Sequence, residues 1–269
     1  MQTKTSNMQR SLSAFWKPIF LMSFISLSSL IYSQTATNII VLIGSSTAAG
    51  IGASPDSSWA NRYSKYLQEQ NPPWELINLA VPGFTTYRLM STHFKSPPNR
   101  QHPDSNHNIS KAISLKPKAI ILALASNDVV SGVPLSVQQA NYDSIVSLAH
   151  AEQIPVWVTT PVPRTKLDSA HREILKLLTT WVTEHYKEKS IDCWTTLAQA
   201  DGKIAPTYSF GDGVHENNQG HTVIFERMVE KNILDKISGT KVIPTRIDLV
   251  NAMEKIHEDS TLIQAVQKR

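Results

Sequence analysis

Cysteine is nearly absent: Cys193 stands alone among 269 residues. No internal disulfide can form, so an apolar core has to hold the fold. The surrounding stretch, Ile191-Asp192-Cys193-Trp194, is apolar and strand-like, which marks a buried structural thiol rather than a reactive one. With one cysteine there is no cysteine metal cluster, and no HExxH motif takes its place. Long hydrophobic runs are scarce as well. The run from Ile19 to Ile31 measures about 15 residues with its flanks and contains four serines. A membrane span needs roughly 20 mostly apolar residues. Acidic residues are missing from the first 33 positions, which carry Lys4, Arg10 and Lys17. The net charge of +4 is concentrated there, and the rest of the chain sets 23 basic residues against 22 acidic ones. No basic stripe survives, so a nucleic-acid partner is not expected.

What is present begins with a recognisable leader. A polar, basic start, an apolar run and a small residue at Ser33 before Gln34 read as a signal for export, cleaved after Ser33. An uncleaved anchor is the alternative, and no cysteine follows the run to carry a lipid. The chain therefore divides into a signal peptide over 1–33, a main domain over 34–239 and a helical extension over 240–269. That extension restarts at Pro244 with Thr245-Arg246-Ile247-Asp248, and Ile247, Val250, Met253 and Ile256 recur every three residues. Either the same core or a second copy of the chain would receive such a face. Once the signal is removed, membrane contact is not expected and the protein is placed outside the cytoplasm. With 41% hydrophobic and 18% charged residues, the composition is that of a folded protein.

Between these ends, strand and helix signals alternate. Short β-branched runs stand at residues 38–43, 75–79, 118–124, 154–159 and 191–194. Helical spacing is read over about 57–70, 136–151, 166–187 and 217–237. Alternation of this kind implies βαβ units: an α/β fold of the flavodoxin-like three-layer type, with a parallel sheet of about five strands and helices on both faces. Residues 95–110, rich in Pro, Asn, His and Ser, read as a long loop, either a substrate lid or a surface excursion.

In such folds, ligands bind beyond the carboxyl ends of the strands. The first strand leads into Gly44-Ser45-Ser46-Thr47-Ala48-Ala49-Gly50, a strand-to-helix turn that can present the Ser46 hydroxyl near a helix N-terminus. A phosphate loop would need Lys-Ser or Lys-Thr after the last glycine, where Ile51-Gly52 stand. The second strand leads to Pro82-Gly83, where a glycine lets a backbone N–H approach a ligand. After the third strand, Asn127 can aim an amide at the same spot. Asp212-Gly213-Val214-His215 stands just before the last helix, and the acid can orient one ring nitrogen while the other faces a nucleophile. His221 lies on the closing helix as a structural residue, and its spacing from His215 does not suit a metal pair.

In order and context these four segments resemble the signature blocks of the SGNH (GDSL-like) hydrolases, over about Asn38 to Ile237. The resemblance implies a serine esterase with no metal or organic cofactor. Ser46 would be the nucleophile, His215 its base and Asp212 the orienting acid. The backbone N–H groups of Ser46 and Gly83 and the Asn127 side chain would form the oxyanion hole. Two positions depart from the pattern: Ser45 replaces the usual Asp and Ala125 the usual Gly. The GxSxG elbow of α/β-hydrolases is absent around Ser46. Export favours an acylated extracellular carbohydrate as substrate, with acetyl groups as the leaving acyl. A lipid-acting esterase or lysophospholipase is the alternative. From outside the enzymes, a non-catalytic carbohydrate-binding module and a flavodoxin-like phosphate binder are the rivals.

Overall fold

A computed structural model of the chain describes residues 38–238. The leader and the C-terminal extension expected from the sequence lie outside these residues. Five strands form one parallel sheet: β1 (Ile39–Gly44), β2 (Glu75–Asn78), β3 (Ala119–Ala123), β4 (Val156–Thr159) and β5 (Ser190–Ile191). Their order is β2-β1-β3-β4-β5. The chain leaves β1 for a neighbour on one side and returns to β3 on the other, so the topological switch point falls between β1 and β3.

Side chains alternate across the strands and supply two cores. Ile40 and Leu42 face a layer built from α1 (Trp59–Gln68) and α7 (Asn218–Glu230), where Trp59, Tyr63, Leu67, Ile224 and Phe225 are buried. Val41, Ile43, Ile120 and Leu122 face the opposite layer, made by α3 (Ile109–Ser114), α5 (Leu135–Ala151) and α6 (Ser169–Tyr186). A strand buried on both faces has to be apolar throughout, which is why β1 and β3 read as unbroken hydrophobic runs.

Helix starts are set by side-chain caps. Ser58, Asn108, Asp168 and Asn217 each accept a backbone N–H from the first turn of α1, α3, α6 and α7. The Asp168 cap explains why α6 begins at Ser169 and not at Lys166. The closing helix expected over 217–237 is broken: Asn232 takes a positive φ of 48°, separating α7 from α8 (Ile233–Ser238). β5 is shorter than the apolar run suggests, because Cys193 already donates its N–H to the Thr160 hydroxyl at 2.8 Å and leaves the ladder. Cys193 is buried, and burial pushes its thiol far above the ordinary range.

The Pro- and His-rich loop before α3 is tied down along its length. Arg100 donates to the carbonyls of Ser131 and Gly132, and Arg88 pairs with Asp104 at 3.3 Å. Gln101 accepts both the N–H and the hydroxyl of Thr85. The segment is thus a strap bound to two loops that follow β2 and β3.

Candidate active site

Backbone bonds shape the turn after β1. Ala49 N–H donates to the Ser45 carbonyl at 2.9 Å, and Ile51 N–H donates to that of Ser46 at 3.0 Å. No helix starts directly there. A series of turns and a short 3-10 segment over Pro55–Ser57 intervene before α1, so the helix N-terminus expected beside Ser46 is not in place. The Ser46 hydroxyl is nearly buried, and it lies 3.0 Å from His215 Nε2.

His215 sits on the turn that precedes α7. Asp212 Oδ1 accepts the N–H groups of Val214 (2.8 Å) and His215 (2.9 Å), which closes the turn. Asp212 Oδ2 stands 2.6 Å from His215 Nδ1. A carboxylate there assigns the ring proton to Nδ1 and leaves Nε2 as the acceptor of the Ser46 hydroxyl. Partial burial of Asp212 opposes ionisation. The hydrogen bonds from the His215 ring and from the N–H groups of His215 and Val214 outweigh it and hold the carboxyl below its usual range. Residues 46, 212 and 215, brought from opposite ends of the domain, form one hydrogen-bonded chain.

Gly83 and Asn127 are joined through the next residue along, since Asn127 Nδ2 donates to the Phe84 carbonyl at 2.9 Å. Gly83 has φ +82°, a conformation costly for any residue with a Cβ, and an added Cβ would face open space. The Gly83 carbonyl accepts from Gln101 of the strap at 3.3 Å. Among the described residues the backbone N–H groups of Ser46 and Gly83 make no hydrogen bond, so both donors are available.

Three residues around the site were not singled out by sequence reasoning. Asp128, beside Asn127, is buried and accepts the N–H (2.9 Å) and hydroxyl (2.7 Å) of Thr86 at the start of α2 (Thr86–Leu89). Burial pushes this carboxyl up to about 6 against the pull of the Thr86 bonds. Asn141 of α5 donates to the same Thr86 hydroxyl at 2.7 Å, so the loops after β2 and β3 are held against one helix. Glu216, next to His215, is completely buried and accepts a long 3.4 Å bond from the Thr47 hydroxyl. Its Oε1 has no partner among the described residues, and burial, aided by the Asp212 charge, pushes the carboxyl up to about 8. A Cβ at Gly52 would sit 2.1 Å from the Glu216 carbonyl oxygen, and one at Gly220 2.6 Å from the Glu216 Cβ. Only bare backbone at those two places admits this acid. Arg164, in the loop after β4, donates from Nη1 to the Ser126 hydroxyl at 3.0 Å. A glutamate next to a helix start and an arginine in a loop look ordinary in one dimension; only their neighbours distinguish them.

His221 is confirmed in a structural place. Its Nδ1 accepts the Trp59 N–H at 3.2 Å and its Nε2 donates to the Ile51 carbonyl at 3.1 Å, while burial pulls the ring down to about 4. Ser45, where the pattern has an acid, is fully buried with a hydroxyl that has no partner among the described residues. Ala125 lines a cavity of about 20 Å³ behind the Ser46 turn, together with Thr47, Trp59 and Thr160. A larger cavity of about 630 Å³ opens at the amino ends of β3 and β4, beside Lys118 and Pro155, and contains none of the site residues. Its position at the far end of the sheet separates it from the reacting groups, and the hydrogen-bonded chain is the better guide to chemistry.

Residues 42–223 match the model of the GDSL-like Lipase/Acylhydrolase family. A search of curated proteins gives no match. Among solved structures, the chain is similar to a lipolytic protein of the G-D-S-L family from Desulfitobacterium hafniense DCB-2, with a TM-score of 0.56 at 20% identity. That match covers 72% of this chain and 99% of the other. An acetylxylan esterase from Geobacillus stearothermophilus gives 0.55 at 16% identity, with 72% and 93% covered. A psychrotrophic esterase from Pseudoalteromonas sp., inhibited by monoethylphosphonate, gives 0.51 at 17% identity, with 72% and 96% covered. At these identities the structural likeness establishes the fold, a central parallel sheet with helices around it.

Proposed function

Because this chain belongs to the GDSL-like lipase/acylhydrolase family, hydrolases acting on esters, we propose that it is a serine esterase with Ser46, His215 and Asp212 as its triad. The observation that carries the reading is the hydrogen-bonded chain of 3.0 Å from Ser46 Oγ to His215 Nε2 and 2.6 Å from His215 Nδ1 to Asp212. Neutral His215 takes the hydroxyl proton at Nε2 as Ser46 Oγ attacks the ester carbonyl. Asp212 keeps the ring in that tautomer and stabilises the imidazolium. The tetrahedral oxyanion is met by the N–H groups of Ser46 and Gly83 and by the Asn127 N–H that Phe84 does not use. Removing one such donor typically costs about 3 kcal/mol of transition-state stabilisation. His215 then protonates the leaving alcohol, and water, deprotonated by the same ring, releases the acid from Ser46.

The preferred substrate is an acetyl ester on an extracellular carbohydrate. Support comes from the export-like leader and from the likeness in fold to an acetylxylan esterase. A lipid-acting esterase is the second reading, favoured by Ile51, Val130 and Phe210, large apolar side chains exposed on the segments that carry the site. Among the described residues no helix is long and apolar enough to cross a membrane. A fluorophosphonate probe tests the nucleophile: it should label the wild type and fail on Ser46→Ala, and a wild type that resists the probe returns the fold to a mere binding role. Turnover of acetylated xylan, pectin and peptidoglycan beside aryl esters of rising acyl length decides between the substrates, since preference for long chains would favour lipid. Export is read from the leader, and a secreted protein whose first residue is Gln34 is the expected product.

A further inference from the structure

Arg164 is the feature of the site that the esterase chemistry leaves unused. It follows β4, at the carboxyl edge of the sheet where the triad stands. Its Nη1 is fixed on the Ser126 hydroxyl at 3.0 Å, one residue before Asn127, and the guanidinium feels the charge of Asp212. The side chain is half-buried, and its Nε is sealed from solvent with no partner among the described residues. Nη2 makes no hydrogen bond among the described residues, and it is not sealed off as Nε is.

No carboxylate among the described residues stands within ion-pair distance of it. The lysine and arginine ion pairs there belong to Lys65, Arg88, Arg172, Lys176, Lys203 and Arg227. A partly desolvated guanidinium without a counter-ion is expensive to hold, and a planar fork with free donors suits a carboxylate. Two residues on, the backbone N–H of Lys166 donates to the Gly213 carbonyl at 2.8 Å, which ties the Arg164 loop to the Asp212–His215 turn. The one acid whose charge reaches Arg164, Asp212, is already engaged by His215.

We propose that Arg164 binds a carboxylate on the substrate, so that the preferred ester is an acetylated acidic sugar rather than a neutral one. This inference rests on the esterase reading above. It names the substrate class of that site, and it makes Arg164 a residue of specificity and not of bond cleavage.

A matched pair of probes tests it: acetylated methyl glucuronoside and acetylated methyl glucoside, which share the ester and differ in charge. Wild type should favour the acid in kcat/KM by about tenfold or more, the size of one hydrogen bond to a charged group. The gain should sit in KM and shrink as salt is raised. Arg164→Gln should abolish the ratio, and Arg164→Lys should retain part of it. Free methyl glucuronoside should compete with 4-nitrophenyl acetate on the wild type more strongly than methyl glucoside does, a measurement that needs no variant to fold. Equal loss on both esters in Arg164→Gln would assign the arginine to Asp212 alone and overturn the proposal, as would a wild type indifferent to the carboxylate. If the wild type cleaves neither ester nor the aryl acetate and takes no fluorophosphonate, the esterase reading falls first and this inference with it.

Discussion

Asn127 carries two amide protons, and the Phe84 carbonyl accounts for one. The other is free for an oxyanion, so Asn127→Ala should lower kcat by about 10² to 10³ with little change in KM. A variant that raises KM alone would make Asn127 a ground-state contact. Glu216 offers a separate test, on stability. Its carboxyl is raised from the ordinary 4.5 to about 8 by burial, so the folded chain keeps a proton that the unfolded chain gives up. Stability from this group is complete below about pH 4.5, falls as pH rises towards 8, and levels off beyond. Glu216→Gln has no proton to lose, so its melting temperature should gain on that of the wild type steadily from pH 4.5 to 8. Asp128 and His221 also titrate, but they are common to both proteins and cancel in the difference. A difference that stays flat across this range would mean that Glu216 is solvated.

The elements differ in how openly their sequences declare them. The Asp212-x-x-His215 turn is local and was legible from four neighbouring residues, whereas the caps at Asn217 and Asp168, equally local, went unread, and helical spacing alone started α6 too early, at about Lys166. Asn217 accepts the N–H groups of Gln219 and Gly220 and also donates to the carbonyls of Thr207 and Ser209. It therefore starts α7 and anchors the chain that runs up to Asp212. Asn217→Ala should cost about 2 kcal/mol in urea unfolding, the upper end for a helix cap, with kcat reduced as well because the His215 turn loosens. An unchanged kcat would show that the turn holds itself. The break at Asn232 and the early end of β5 were not legible. A positive φ and a bond from Cys193 to the Thr160 hydroxyl answer to packing, and neither leaves a periodic trace in the residues.

For the whole molecule, the sheet shared by two cores makes a sharper prediction than either core does. Ile120 and Ile121 are adjacent and fully buried, and they face opposite layers. Each Ile→Ala change should cost about 2–5 kcal/mol, measured by denaturant unfolding. A mild cost at one of the two would mean that the corresponding helical layer is loosely packed.

By itself the sequence determined the parallel α/β fold, the order of the four site segments and the acid-to-histidine turn, because periodicity, small-residue turns and short spacings are local. The tertiary structure alone decided which distant groups meet. It set Ser46 Oγ 3.0 Å from a ring 169 residues away, bound the 95–110 strap to the loops after β2 and β3, sealed Glu216 against Gly52 and Gly220, and left Arg164 within the field of Asp212 but in no ion pair among the described residues. Desolvation and partner distance set the charge state and reactivity of such groups, and both are properties of the packed chain rather than of neighbours in sequence.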